Sequence, residues 1–271
     1  MTELALSPQR AAYLRARKRR RNAVSFLQVF LLLSFLVLWE IAARAEWIDP
    51  FIFSCPTRVL ETLTNLWRSG DLWLHLGTSC LETVVGFLLG TAIGTLAAAA
   101  LWWSDFASAV LGPYLVVLNA LPKTALGPIF IVWMGAGTAS IITMTLAISV
   151  ITTILSMHAG FLTVDPQQIR LMRTLGAGKG QIFCYLVFPA NLHTLVSTLK
   201  VSVGLSWVGV IMGEFLVSRA GLGYLIVYGS QVFNMDLVMS TVLLLAIAAV
   251  MMYLAVLWLE KLLEKHLGVI P

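Results

Sequence analysis

Charged side chains interrupt two of the longest apolar stretches of this sequence, and their spacing sets them where they could act on a solute. Lys200, Gly204, Trp207, Ile211 and Glu214 advance by alternate steps of four and three residues, which aligns them on one face of a helix. Lys123 stands between Pro122 and Pro128. An ionisable side chain in hydrocarbon costs at least about 2.5–3.5 kcal/mol unless it faces protein or water, so each position needs a partner or a purpose. For Lys200 the alternatives are snorkelling to the headgroups and a place on a solute pathway. For Glu214, about 21 Å further along the axis, they are a helix–helix hydrogen bond and a gate. Lys123 either reaches an interface or an acid, or offers a positive site midway that lowers the barrier for an anion. Glu40 and Glu82 pair or face the interior and receive no role.

Covalent chemistry finds no comparable constellation. His75, His158, His193 and His266, like Cys55, Cys80 and Cys184, lack metal-ligand spacing. Gly176-Ala-Gly-Lys-Gly180 falls short of a phosphate-binding loop, because Arg173 stands where a glycine is needed and Gly180 where Ser or Thr is needed. Gly204-Leu-Ser-Trp207 lacks the closing glycine and the histidine partner of a serine nucleophile. The expectation is a chain with no catalytic residue, no metal and no cofactor of its own.

The elements that must carry these residues follow from composition. Of 271 residues, 59% are hydrophobic and 11% charged, and the mean hydropathy is +0.89, against roughly 45–50% apolar and 25% charged in soluble domains. Such a chain has a bilayer for solvent, and a spanning helix needs about 20 apolar residues. Spans are predicted near 23–43, 77–101, 108–134, 138–160, 195–217 and 237–259, giving an all-α polytopic membrane protein with about six crossings. The second span carries Gly86, Gly90 and Gly94, and the fifth carries Ser202, Ser206, Gly209 and Gly213; small residues at this spacing let helices approach closely. Pro122, Gly127 and Pro128 predict that the third span is kinked and interior, since broken backbone at membrane depth must face protein or water. Val59 to Trp67 is predicted to be helical.

Net charge is +5, but the basic residues point to a lipid surface rather than to nucleic acid. Arg10, Arg15, Arg17, Lys18, Arg19, Arg20 and Arg21 precede the first apolar run, which orients that run from the inside outward. Segment 1–22 is therefore read as a cytoplasmic basic terminus and 23–271 as the transmembrane domain, with both ends and the loop 161–194 cytoplasmic. Arg170, Arg173 and Lys179 against the single acid Asp165 agree with that side for the loop. Its apolar residues Leu171, Leu175, Ile182, Phe183 and Leu186 read as two short amphipathic helices around the turn Gly176–Gly180, a compact element suited to docking a partner.

The stretch from Arg170 to Ala177, followed by Gln181-Ile-Phe183 and Val187-Phe-Pro-Ala190, resembles the cytoplasmic loop signature of the inner-membrane permeases of binding-protein-dependent ABC importers. It has Arg170, Leu171 and Met172 where that family often has Glu-Ala-Ala. Ala120 to Gly135, Trp207 to Leu216 and Gly221 to Ile226 are similar to the branch importing nitrate, taurine, aliphatic sulfonates and some vitamin precursors. The likeness runs from about Phe51 to Val256 in matching order.

The resemblance implies a type I importer permease fold in a bacterial inner membrane, pairing with a second copy. It further implies an ATPase subunit on each cytoplasmic face, which binds the ATP and magnesium, and an external solute-binding protein. Arg170, Arg173, Thr174, Leu175, Gly176, Ala177, Gly178, Lys179, Gln181, Ile182, Phe183 and Pro189 would couple to the ATPase, the segment around Thr174 to Phe183 forming the coupling helix. Lys123, Lys200, Trp207, Ile211 and Glu214, on the third and fifth spans, would line or gate the pathway. Two rivals are an ion-gradient-driven carrier, which needs coupling-ion ligands near the midplane, and an intramembrane enzyme.

Overall fold

The computed structural model describes residues 8–267, with side chains for 17–262. Arg10 and Arg15, on which part of the charge argument rests, and His266 have side chains outside that range.

Helix α1 (Pro8–Arg44) leads through the tight turn α2 (Pro50–Phe53) to α3 (Pro56–Ser69) and α4 (Asp71–Trp103). Since α1 is continuous from Pro8, residue 22 marks a change in chemistry and not a break in structure. Proline at the first position starts α2 and α3, where its missing N–H is no loss, and Asp49 caps α2 by accepting from the Phe51 amide at 2.8 Å. Gly70, at φ 86°, ends α3 in the left-handed conformation.

Ser104 caps α5 (Asp105–Ala120) through the Ala107 amide. A 3₁₀ turn (Lys123–Leu126) then joins α5 to α6 (Gly127–Met134). These two helices, bent by 88°, occupy the predicted third span. The bend lies at Leu121, whose extended ψ of 140° is what a residue before proline adopts. The kink is present, but the interior placement is not. In the single chain α5 contributes no buried residue, and Val116, Val117 and Leu118 are exposed.

After α7 (Thr138–Leu162) the chain makes a loop of short helices, α8 (Pro166–Thr174), α9 (Lys179–Ile182) and α10 (Phe188–Ala190), the last two joined by a π turn over Phe183–Val187. It then crosses again as α11 (Leu192–Val217), turns through α12 (Leu222–Gln231) and ends in α13 (Met235–Leu267). Among the described residues five helices are long and apolar enough to span, or six segments with the bent pair counted as one span. The predicted spans differ from these by a few residues at their ends.

The core is a three-helix contact among α4, α7 and α11. A Cβ added at Gly86 would fall 2.5 Å from Thr145 Cγ2, and one at Gly94 would fall 2.6 Å from Thr153 Cβ. From the other side, a Cβ at Gly209 would meet the Thr145 Cα at 2.6 Å. Thr145 is thus wedged between the glycine stripes of two neighbours. The hydroxyls of Thr145, Ser149 and Thr153 donate to carbonyls one turn back in α7, at 2.9–3.0 Å, which hides their polarity and leaves methyl and methylene faces for packing.

Gly209→Val is expected to destabilise the chain by about 1–3 kcal/mol through overpacking against backbone, read as a lowered thermal unfolding temperature in detergent. Gly204→Val, on the same helix with no atom within 4 Å of the added Cβ, is expected to leave that temperature unchanged. Equal behaviour of the two variants would contradict this packing.

Candidate functional site

The loop between α7 and α11 has two unlike faces. Its inner face fastens it to the bundle: Ile182 and Val187 are fully enclosed with Ala98, Met157, Phe161 and Val164. The Phe183 ring lies within aromatic contact of Trp102 at 5.1 Å, Phe161 at 5.3 Å and Phe188 at 6.1 Å. Lys179 donates to the Trp103 carbonyl at 2.7 Å and lies 5.7 Å from the centre of the Trp102 ring, and Asn191 closes the loop by donating to the Val187 carbonyl at 2.9 Å. Pro189, which has no N–H, stands just after the π turn, where the helical hydrogen-bond ladder is already interrupted.

The outer face is bare. Leu171 is 61% and Leu175 75% exposed, beside the exposed Arg170, Arg173 and Thr174. Asp165 caps α8 through the Gln167 amide at 2.8 Å. At its other end Gly176, at φ 83°, turns the chain, its amide bonding the Arg173 carbonyl and that of Ala177 bonding the Met172 carbonyl, both at 3.0 Å. Gly178 donates to the Gln181 side chain at 2.8 Å and opens α9. The apolar residues read as one amphipathic pattern therefore separate: Ile182, Phe183 and Leu186 hold the loop, whereas Leu171 and Leu175 face outward. No single helix covers Thr174 to Phe183. The outward helix is α8, and Thr174 is its last residue.

The stripe on α11 also divides. Trp207 and Ile211 are buried among Phe87, Val203, Leu222, Ala248 and Val256, so within one chain they form core and do not line open space. Lys200 pairs with Glu260 of α13 at 2.8 Å. Lys123, at the bend, donates to both the backbone and the side-chain oxygen of Asn119 at 3.1 Å. That places a cation against the last-turn carbonyls of α5, where the helix dipole favours it.

Glu214 is 1% exposed and binds the start of α12. Its carboxylate accepts from the Ser79 hydroxyl and the Gly223 amide. Ser79 Oγ in turn accepts from the Leu222 amide at 2.7 Å, and His75 Nδ1 accepts from the Gly221 amide at 3.0 Å. Three otherwise unpaired amides at a helix N-terminus are thus met by side chains of α4 and α11, with a negative group where the dipole favours one. A Cβ at Gly223 would sit 2.7 Å from the Glu214 Cβ, and Gly221 is at φ 121°, which accounts for the Gly-Leu-Gly motif. The helix–helix hydrogen bond expected of Glu214 is present, from Ser79 of α4.

Sequence reasoning gave His75 and Glu82 no role, with Glu82 expected to pair or face the interior, and did not single out Ser79. Their steps of four and three residues were the available signal, since the same face continues into Gly86. Glu82 is also 1% exposed, and its Oε2 has no partner; a buried acceptor left without a donor costs about 1–3 kcal/mol.

Comparison with known proteins agrees with this architecture. The profile of a family described as binding-protein-dependent transport system inner membrane component matches residues 90–269. A probable ABC transporter permease protein of Haemophilus influenzae is 29% identical over 83% of this chain and 91% of its own. The formylaminopyrimidine transport permease protein of Halalkalibacterium halodurans is 27% identical over 91% and 97%, and the taurine transport system permease protein of Escherichia coli 25% over 83% and 84%. A chain of the MetNI methionine ABC transporter, solved in inward-facing conformations, shares the fold with a TM-score of 0.57 and 18% identity, over 71% of this chain and 94% of that one.

Replacing the anchor by Glu214→Ala is expected to lower stability by about 1.5–3 kcal/mol, the range for hydrogen bonds to a charged group. Hydrogen exchange at the Leu222 to Leu225 amides should accelerate more than elsewhere; unchanged protection there would show that Glu214 does not hold α12.

Proposed function

Because the chain belongs to the family of binding-protein-dependent transport system inner membrane components and is the permease subunit of an ABC importer, we propose that it hands a small solute across the membrane by rocking against a second copy of itself. Each copy docks one ATPase through α8 and the Gly176 turn, and that partner binds the ATP and magnesium. A solute-binding protein delivers the solute at the opposite face. The loop 163–191 and both termini are cytoplasmic, in keeping with Arg17 to Arg21 at the start of the first crossing.

The single observation that carries this reading is the two-faced loop. An element locked to the ends of α4 and α7 by Ile182, Phe183 and Val187, yet presenting Leu171 and Leu175 to water, moves the bundle when a partner pulls on it. Exposed leucines flanked by Arg170 and Arg173 match the mixed apolar and charged character of a docking surface. Rigid-body motion of such an element exposes a pathway to alternate sides.

The pathway follows faces that the chain leaves uncovered. On α11 these are Ser197, Val201, Gly204 and Val208, flanking the buried Trp207 and Ile211. On the third crossing they are the faces of α5 and the bend at Lys123, whose charge favours entry of an acidic group. A second copy covers the remainder of this apolar surface. The solute is a small molecule of the nitrate, sulfonate or taurine type, or a vitamin precursor; formylaminopyrimidine and taurine are named for two of the relatives.

Leu171→Asp combined with Leu175→Asp is expected to abolish ATP-dependent uptake and co-purification of the ATPase, with a change in stability within about 0.5 kcal/mol because both sites are at the surface. Gly176→Pro, which cannot take φ 83° and removes an amide donor, is expected to do the same without affecting membrane insertion. Uptake should stop on removal of ATP and survive collapse of the ion gradients. Normal uptake by both variants, or dependence on the gradients, would overturn the assignment.

A further inference from the structure

A cavity of about 160 Å³ lies where α4 and α7 end and α5 begins, with the loop between α7 and α11 as a further wall. Trp102, Asp105, Ser108 and His158 line it from the bundle, and Arg173 and Lys179 from the loop. Ser108 Oγ and His158 Nε2 form a hydrogen-bonded pair at 3.1 Å. The Lys179 ammonium is fixed at this wall by the Trp103 carbonyl and the Trp102 ring, a hydrogen bond that uses one of its three donors. The ion pairs among the described residues are Arg44–Glu40, Arg58–Asp236 and Lys200–Glu260, so neither Arg173 nor Asp105 joins one. Asp105 stands in the first turn of α5, where the helix dipole already favours it. Arg173 and Lys179 against Asp105 leave the lining with a surplus of one positive charge.

We propose that this cavity seats the phosphate of an anionic phospholipid from the leaflet on the loop's side, so that lipid braces the loop against α5 and α7. The site stands apart from the import reading and is independent of the solute carried. Its depth fits a headgroup: Trp102 and Trp103 end α4, and Leu162 ends α7, and tryptophan at the end of a span marks the headgroup level. Leu162, which lines the cavity, is 62% exposed, and Phe106, next to Asp105, is 79% exposed, which gives acyl chains an apolar surface beside the headgroup. At about 30 Å³ per water-sized group, the volume holds about five such groups, the size of a phosphate and too small for a nucleotide. A phosphodiester carries one negative charge and so matches the surplus, and the planar fork of Arg173 can meet two of its oxygens at once. Basic pockets between membrane helices recognise headgroups by this combination of charge and level.

The test uses the full chain in its native complex, stripped of lipid in detergent, and counts bound lipid by native mass spectrometry as phosphatidylglycerol or phosphatidylcholine with the same chains is added. Inorganic phosphate and glycerol phosphate serve as soluble competitors. The expected result is tighter binding of phosphatidylglycerol than of phosphatidylcholine, no displacement by the soluble anions, and a loss of about five-fold in Arg173→Gln and in Lys179→Gln. Arg170→Gln removes the same charge from the same loop outside the cavity and should bind as the wild type does. Lys179→Gln also loses the bond to Trp103, whereas Arg173→Gln is at an exposed position and should unfold at the wild-type temperature, which keeps the test clear of a folding defect. Equal binding of the two lipids, an equal loss in Arg170→Gln, or no loss in Arg173→Gln would overturn the site. Displacement by inorganic phosphate would make it a site for a soluble anion, and an ATPase side chain seated there in a structure of the complex would assign it to the partner; either result overturns the lipid reading as well.

Discussion

The close approach of α4, α7 and α11 is the constraint on which the rest of the molecule depends. In a bilayer no hydrophobic force draws one apolar helix to another, because lipid is as apolar as leucine, so association comes from contact between surfaces that fit. Here the fit is glycine against threonine and serine. Gly86, Gly90 and Gly94 receive the side chains of Thr145, Ser149 and Thr153 from one side, while Gly209 and Gly213 approach Thr145 and Ile141 from the other. Both functional regions sit at the ends of this trio. The loop between α7 and α11 is fixed where α4 and α7 finish, and the carboxylate cluster where α4 begins and α11 finishes. A displacement at one end of such a tightly meshed unit is carried to the other end, since there is little free volume to absorb it.

Much of this was readable from residue types alone. Long apolar runs and the basic stretch before the first of them define the crossings, and the glycine spacing marks the helices that pack closely. What the sequence could not say was which helix each stripe meets. The small residues of α4 and α11 announce close packing but do not name Thr145 as their common neighbour, because α7 has no glycine in the facing stretch and carries its signal in hydroxyl-bearing residues. The prolines announced a break in the third crossing. They did not reveal that its flanks are left uncovered, which depends on how many helices the chain supplies to surround them.

The charged residues show the same limit more sharply. Spacing placed Trp207, Ile211 and Glu214 together on one face of α11, and they do share it. That face turns toward the chain's own α12 and α13, with Glu214 committed to the Gly221–Gly223 amides. A polar residue in an apolar span is visible in sequence, whereas its partner, here the start of a helix several residues on, is set by the turn that brings it back. Likewise Leu171 and Leu175 carry the same apolar signal as Ile182 and Phe183, and only the reversal at Gly176 sends the two pairs to opposite faces.

The lysine at the bend of the third crossing has an electrical consequence. Lys123 is tied to Asn119 at the break itself, and with the bent pair taken as one span its charge lies within the transmembrane voltage drop. A unit charge carried through 100 mV exchanges about 2.3 kcal/mol with the field, so a shift of a quarter of the membrane thickness exchanges about 0.6 kcal/mol. Any motion of the bend along the membrane normal is then a displacement current, and cell polarisation becomes a bias on which way the bundle leans.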